Sequence, residues 1–261
     1  MRQSNLMILL QIFLLAVALT RTSQSQEQID FAGVRCLKSE QISTATTYHG
    51  NILTLLSKLH SLSTTSKFSI SSSGLGPDRV NGFYHCRPDL SLSTCEACIN
   101  HTINSFNRYC FDKTEAIILY EECMILYTNK STSPENNENM PWYFNYFTYN
   151  VSRPQIFPAL LKTTMQSLIV EAVSATNNSQ RYFAIGDADF TAFERLYVMV
   201  LCRPDMTPED CEGCLRIALD RIPTCCGGLA SWTMVFLPNC QLRYDTAPFI
   251  FPPDSAPVRA L

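Results

Sequence analysis

The sequence predicts an α+β fold in two tandem domains, each of two helices packed on an antiparallel β-sheet and stabilised by disulfides. Three observations predict it. The cysteine pattern Cys86-x8-Cys95-x2-Cys98, followed by Cys110 and Cys123, recurs as Cys202-x8-Cys211-x2-Cys214, followed by Cys226 and Cys240. The first four cysteines of the two sets stand 116 positions apart and the fifth 117, a register that marks an internal duplication. Both copies open with Cys-Arg-Pro-Asp, at Cys86 to Asp89 and Cys202 to Asp205. Helical and extended patterns follow in the same order in each copy. The framework also sits behind a leader that sends the chain to an oxidising compartment.

That leader occupies residues 1–25. Arg2 precedes an apolar run over 6–19, and small and polar residues follow over 20–26. This is the layout of a secretory signal peptide, and the run is too short for a comfortable membrane span. An uncleaved anchor is the rival reading. Twelve cysteines in such a chain are expected to pair. Four glycosylation acceptors point to the same compartment: Asn100, Asn129, Asn150 and Asn177. The net charge is −3 with 16% charged residues, so no strong field draws the chain to nucleic acid or an anionic membrane. Hydrophobic content of 46% supports ordinary cores, which the disulfides supplement.

The first domain is assigned to 26–129, with Cys36 near its start. Apolar residues at helical spacing, Ile52, Leu55, Leu56 and Leu59, predict a helix over 48–62. The Ser- and Gly-rich stretch 69–76, closed by Pro77, reads as a loop. Residues 80–86 read as a strand. Ser93-Thr-Cys-Glu96 reads as a capping box, so a second helix is expected from about 94 to 109. Residues 116–120 and 123–128 are apolar and β-prone, consistent with paired antiparallel strands.

A polar stretch over 130–141 is the expected linker. The second domain is assigned to 142–250. Residues 158–175 carry a helical pattern, and 182–186 and 196–202 read as extended. Thr207-Pro208-Glu209-Asp210 is a helix start, with Pro at the first helical position and acids in the first turn. Strands are expected over 233–237 and 241–244. Three prolines at 252, 253 and 257 mark 251–261 as a loose tail.

Two motifs admit chemistry. Cys95/Cys98 and Cys211/Cys214 are Cys-x2-Cys pairs at helix starts. A thiol oxidoreductase would use such a pair as a stabilised thiolate, but a thioredoxin-like βαβ context is missing. A zinc site could use them too, which fits an oxidised, secreted chain badly. Structural disulfides are the reading adopted, with no metal and no cofactor. The histidines His49, His60, His85 and His101 form no pair at metal-ligand spacing on a helix face. No nucleophile elbow, metal-binding helix motif, phosphate loop or kinase signature occurs, so no catalytic residue is assigned and no enzyme is expected.

With its strand, its helix and the cysteines 12 and 25 residues further on, the Cys-x8-Cys-x2-Cys unit resembles the ginkbilobin-type domain of plants, also called the stress-antifungal or salt-stress-response domain. In tandem behind a leader it is similar to the plant cysteine-rich repeat secretory proteins. It also resembles the ectodomains of cysteine-rich receptor-like kinases and plasmodesmal receptor-like proteins. The resemblance implies the pairs Cys86–Cys95, Cys98–Cys123 and Cys36–Cys110 in the first domain. In the second it implies Cys202–Cys211 and Cys214–Cys240. Position 152, the counterpart of Cys36, is Ser152, and an extra Cys225 adjoins Cys226. For these two, a vicinal disulfide, free thiols and bonds to another chain stay open.

The same resemblance implies a mannose site made by an Asn after the first cysteine, an Arg six residues before the last and a Glu five residues after it. The first domain holds Leu37, Ile117 and Thr128 there. In the second domain the Arg and Glu positions hold Met234 and Asp245. Only Asp245 keeps an acid, and it is the single ligand-binding candidate on this basis. The aromatic run 142–149 serves either as a stacking platform or as the first strand of the second domain and a seam with the first. The latter is preferred.

The expectation is a secreted, non-catalytic recognition protein of the plant apoplast, acting in stress or defence signalling. Its partner would be a glycan, a peptide or a receptor ectodomain. Loops such as 69–77 and 227–231 would carry specificity. An antimicrobial lectin and a truncated receptor ectodomain are the alternatives.

Overall fold

The computed structural model describes residues 29–36, 46–134, 143–175, 181–226 and 228–249, with 143–150 as backbone. The expected leader and tail lie outside these residues, as does most of the expected linker. The first sheet contains β1 (Phe31–Cys36), β2 (Phe68–Ser73), β3 (Val80–Cys86), β4 (Ala116–Tyr120) and β5 (Cys123–Thr128). The second contains β6 (Tyr143–Asn150), β7 (Phe183–Asp189), β8 (Arg195–Cys202), β9 (Ala230–Phe236) and β10 (Cys240–Asp245). Four helices cover them: α1 (Thr47–Ser63), α2 (Leu92–Tyr109), α3 (Phe157–Ser174) and α4 (Pro208–Cys225).

The two sheets have the same order, β1-β4-β5-β3-β2 and β6-β9-β10-β8-β7, and every pairing within them is antiparallel. The duplication read from the cysteines is therefore a duplication of topology. The protein is α+β, with two helices on one face of each sheet.

Strand alternation sends successive side chains to opposite faces. In the first domain Ile118, Ile125, Tyr127 and Tyr84 face α1 and α2, where Ile52, Leu55, Leu56 and Leu59 meet them. Their neighbours Ile117, Leu119, Leu126 and Phe83 face the other way. They join Met234 and Phe236 of β9 in a second buried cluster. The two domains thus meet through the sheet faces that the helices leave bare. All six residues of β5 are buried, as expected of a strand covered on both faces.

Two local expectations need correction. Residues 69–76 were expected as a loop, but Phe68–Ser73 is strand β2, paired with β3 from Phe68↔His85 to Ser73↔Val80. Its serines match the polar flank of an edge strand, where side chains face water. The cap of α2 is Ser91, not Ser93: its side chain accepts from the Thr94 N–H. Thr207, 116 positions on, caps α4 by accepting from the Asp210 N–H. One further residue belongs to the core. Phe249 is 6% exposed and packs on Phe183, Met199 and Leu201.

The structure joins Cys36–Cys110, Cys86–Cys95 and Cys98–Cys123 in the first domain, and Cys202–Cys211, Cys214–Cys240 and Cys225–Cys226 in the second. Cys110 ties α2 to β1. Cys226, its counterpart, closes on its own neighbour, so no disulfide ties β6 to α4. No described helix is long and apolar enough to cross a membrane.

Candidate recognition groove

The repeated Cys-Arg-Pro-Asp motif builds the seam between the domains. At the end of β3 the Arg87 N–H donates to the Glu122 carbonyl at 2.9 Å, and at the end of β8 the Arg203 N–H donates to Asn239 at 2.9 Å. Each guanidinium then grips the aspartate two residues on, Arg87–Asp89 and Arg203–Asp205, both at 2.6 Å. Each also reaches into the opposite domain. The Arg203 Cζ lies 4.0 Å from the centre of the Phe83 ring, and the Arg87 Cζ 5.9 Å from that of Phe249. A third arginine, Arg243 of β10, donates to the Glu121 carboxylate across the seam at 2.6 Å.

The seam also accounts for the fate of the mannose positions. Ile117 and Met234, which stand where that site would hold arginine, are both buried in the cluster between the sheets. Thr128 is fully buried. Asp245 accepts from the Ala247 N–H at 2.8 Å and lies 3.5 Å from the Arg243 guanidinium. Burial raises its carboxyl above the usual range. It is a seam residue, committed within the fold. Leu37 and Trp142 lie outside the described residues, and the aromatic run is represented by the backbone of β6.

Glu121, Glu122 and Asp30 bring their ligand atoms within 4.8 Å of one another at the same seam. Glu121 is held by Arg243, and Glu122 accepts from the Asp30 N–H at 3.1 Å. Burial, with the Glu121 charge second, lifts the Glu122 carboxyl to about 7.

A concave feature open to solvent lies at the β2 edge of the first sheet. Ile70, Ser71, Ser72, Arg79, Asn81, Ser131 and Thr132 line a groove of about 560 Å³, within the size range of small-ligand sites. The β2–β3 turn shapes it. Gly74 has φ +81°, and a Cβ there would strike the Asn51 side chain, which donates to the Asp78 carbonyl at 2.8 Å. A 3₁₀ turn over Gly76–Asp78, started by Pro77, then delivers Arg79 to the groove. Arg79 Nε donates to Asn81 Oδ1 at 3.1 Å and a terminal nitrogen to Ser72 Oγ at 3.2 Å. Asn81 Nδ2 donates to the Lys130 carbonyl at 2.9 Å. The far wall is strapped to the second domain, because the Thr132 carbonyl accepts from Arg203 at 2.9 Å. The Pro134 carbonyl likewise accepts from Asn239 Nδ2 at 2.9 Å.

The expected specificity stretch 69–77 thus forms one wall and rim of the groove. Arg79, Asn81 and Ser131 were not singled out in the sequence, although the 116-residue register sets Arg79 against Arg195 and flags it. Of the stretch 227–231, Gly227 lies outside the described residues and Ala230 and Ser231 begin β9. Among the acceptor asparagines, Asn129 is exposed beside the groove and Asn100 is exposed on α2. The side chain of Asn150 and all of Asn177 lie outside the described residues.

Two α+β repeats, each stabilised by its own disulfides and meeting sheet to sheet, define a tandem cysteine-rich extracellular fold of the plant type. The salt stress response/antifungal family profile matches residues 35–130 and 145–247, and the chain belongs to that family. It is 32% identical to cysteine-rich repeat secretory protein 9 of Arabidopsis thaliana over 89% of this chain and 71% of that one. It is 29% identical to an antimicrobial ginkbilobin-2-like protein of Castanea crenata, over 82% of this chain and 87% of that one. Against cysteine-rich receptor-like protein kinase 25 of Arabidopsis thaliana it is 31% identical but spans 32% of the relative's length. The crystal structure of the tandem DUF26 ectodomain of the Arabidopsis thaliana cysteine-rich receptor-like protein PDLP8 has the same fold. It superposes with a TM-score of 0.70 at 21% identity, over 84% of this chain and 99% of that one. The relatives are secretory proteins and receptor ectodomains, and this chain is likewise secreted and extracellular.

Proposed function

We propose that the chain is a non-catalytic recognition protein of the apoplast that acts in stress or defence signalling. The observation that carries this reading is the groove at β2, held open on a scaffold braced by disulfides and by the arginine seam. Its lining offers the hydroxyls of Ser72 and Ser131, an amide, a guanidinium and an aliphatic side chain, the mixture that orients a ligand rather than transforms it. Partners of fitting chemistry are an apoplastic glycan, a peptide or a receptor ectodomain. Asn100 and Asn129, both exposed, are proposed to carry N-linked glycans.

The test is a binding screen. Wild-type chain and a Ser72→Trp variant, whose indole stands on the groove side of β2 beside Arg79, are applied to a glycan array and to a panel of receptor ectodomains. Saturable binding by the wild type that the variant loses supports the reading. Binding that the variant retains removes the groove from it, and turnover of a glycosidic, ester or peptide substrate contradicts it. An antimicrobial lectin is the second reading, favoured by the likeness to the ginkbilobin-2-like protein. Burial of Ile117 and Met234 at the mannose positions counts against that mode of sugar binding.

A further inference from the structure

The groove arginine has a twin in the second domain, and the twin shows what such an arginine takes. Asn81 of β3 pairs with Ser72, and Tyr197, 116 positions on, pairs with Asp187. Ser72 and Asp187 therefore hold the same place in the two sheets. Arg79 and Arg195, also 116 apart, precede or open the following strand in each. In the second domain the Arg195 guanidinium grips the Asp187 carboxylate and lies 3.6 Å from Asp189. In the first domain the same place offers a serine. Arg79 rests on the Ser72 hydroxyl and the Asn81 amide, and among the described residues no carboxylate lines the groove. Lys58, reaching over from α1 to donate to the Ser72 carbonyl at 3.1 Å, adds a second positive charge beside it.

We propose that this groove binds an acidic saccharide, a short chain of hexuronate units, with one carboxylate on Arg79 in the position that Asp187 takes on Arg195. The inference rests on the recognition reading above and names its ligand class. Arg79 supplies the charge-assisted, fork-shaped contact that a carboxylate matches. The hydroxyls of Ser72 and Ser131 and the amide of Asn81 are neutral partners for sugar hydroxyls. Ile70, 46% exposed, offers an aliphatic surface to a sugar's C–H face. A single lining guanidinium, with Lys58 beside it, suits the carboxylates of an acidic sugar, whereas a phosphorylated peptide calls for a cluster of arginines. The groove is open, so the contact is screened by salt and each sugar unit adds little. Affinity should grow with the number of units.

Titration calorimetry of the folded, oxidised chain with an oligogalacturonate and with its methyl ester of equal length tests this. Two surface variants accompany the wild type. Arg79→Ala removes the cation, and Ser72→Asp rebuilds the ion pair of the second domain and so occupies Arg79 from within. Their melting curves report whether the fold is intact. The expected result is saturable binding of the acid that weakens with salt. Each variant, and esterification, should weaken it at least tenfold. Equal binding of acid and ester, or indifference to both variants, overturns the acidic class and leaves glycan recognition standing. Capture of a peptide or an ectodomain through the groove, with no saccharide bound, overturns the saccharide class and leaves the recognition reading standing. A groove that binds none of these overturns both.

Discussion

Arg203 of the second domain lays its guanidinium on the ring of Phe83 in the first, with Cζ 4.0 Å from the ring centre, while Asp205 holds it from behind at 2.6 Å. The residue is 1% exposed and also donates to the Thr132 carbonyl at the groove wall. One side chain therefore joins three things: the duplicated motif, the seam and the groove. Arg203→Ala removes a buried guanidinium and with it the stack on Phe83 and the bonds to Asp205 and the Thr132 carbonyl. It is expected to cost about 2–4 kcal/mol of stability, measured by urea unfolding. Arg203→Lys keeps the charge but loses the fork and the stacked plane, and should recover only part of this. A loss below about 1 kcal/mol for the alanine variant would remove the seam from the account.

The seam titrates. Burial, reinforced by the Arg203 charge, pushes the His85 imidazole from 6.5 down to about 3. Neutral in the fold, it gains a proton only on unfolding. Its contribution is complete above pH 6.5 and is lost as pH falls toward 3. Glu122 acts in the opposite sense. Its carboxyl, lifted from 4.5 to about 7, contributes fully below pH 4.5 and loses that contribution as pH rises through 7. Between 4.5 and 6.5 the two slopes oppose each other. Glu122→Gln is therefore expected to stabilise the chain by roughly 1–3 kcal/mol at pH 8 and to change little at pH 4. His85→Gln should flatten the acid limb alone. Unfolding curves at pH 4, 5.5 and 8 separate the two, and an equal effect of Glu122→Gln at pH 4 and 8 would refute the assignment.

The disulfides are expected to differ in worth by the loop each one closes. Cys225–Cys226 spans a sequence separation of 1, Cys214–Cys240 of 26 and Cys36–Cys110 of 74. Loop-closure entropy predicts losses of about 1 kcal/mol for the paired Cys225→Ser, Cys226→Ser change and about 4 kcal/mol for removing Cys36–Cys110. Thermal unfolding of the two double variants checks the order. A larger loss for the vicinal pair would show that it braces the Gly228 turn in a way loop closure does not capture.

Asn129 and Asn100 are exposed, so chain secreted from plant cells should lose mass on treatment with a peptide N-glycosidase. Asn129→Gln and Asn100→Gln should each remove one step of that shift. A mass equal to that of the bare mature polypeptide would withdraw both sites.

Much of this was legible in the sequence, because cysteine spacing and apolar periodicity report directly on disulfides and on helix faces. The spacing of Ile52, Leu55, Leu56 and Leu59 located α1 and its buried face. The 116-residue register fixed the shared topology of the two sheets. What stayed hidden has a common physical cause. Strand β2 reads Phe-Ser-Ile-Ser-Ser-Ser, and an edge strand flanked by solvent carries too few apolar residues to separate it from a loop. The seam was hidden for the opposite reason. In a strand buried on both faces, such as β5, the apolar run is continuous, so its pattern does not say which face meets helices and which meets a second sheet. Arg203 and Arg87 were visible as a repeated motif, but their targets Phe83 and Phe249 are assigned only by tertiary packing. The groove was half legible: the serines were flagged as a specificity stretch, and Arg79 emerges once Ser72 is set against Asp187.

The central claim is that this scaffold recognises a ligand through the β2 groove. The most direct measurement is the binding of wild type and Ser72→Trp, side by side, to glycan and ectodomain panels, with melting curves on both proteins. The account predicts saturable binding by the wild type and at least a tenfold loss in a variant of unchanged melting temperature. Equal binding by the two proteins would contradict it.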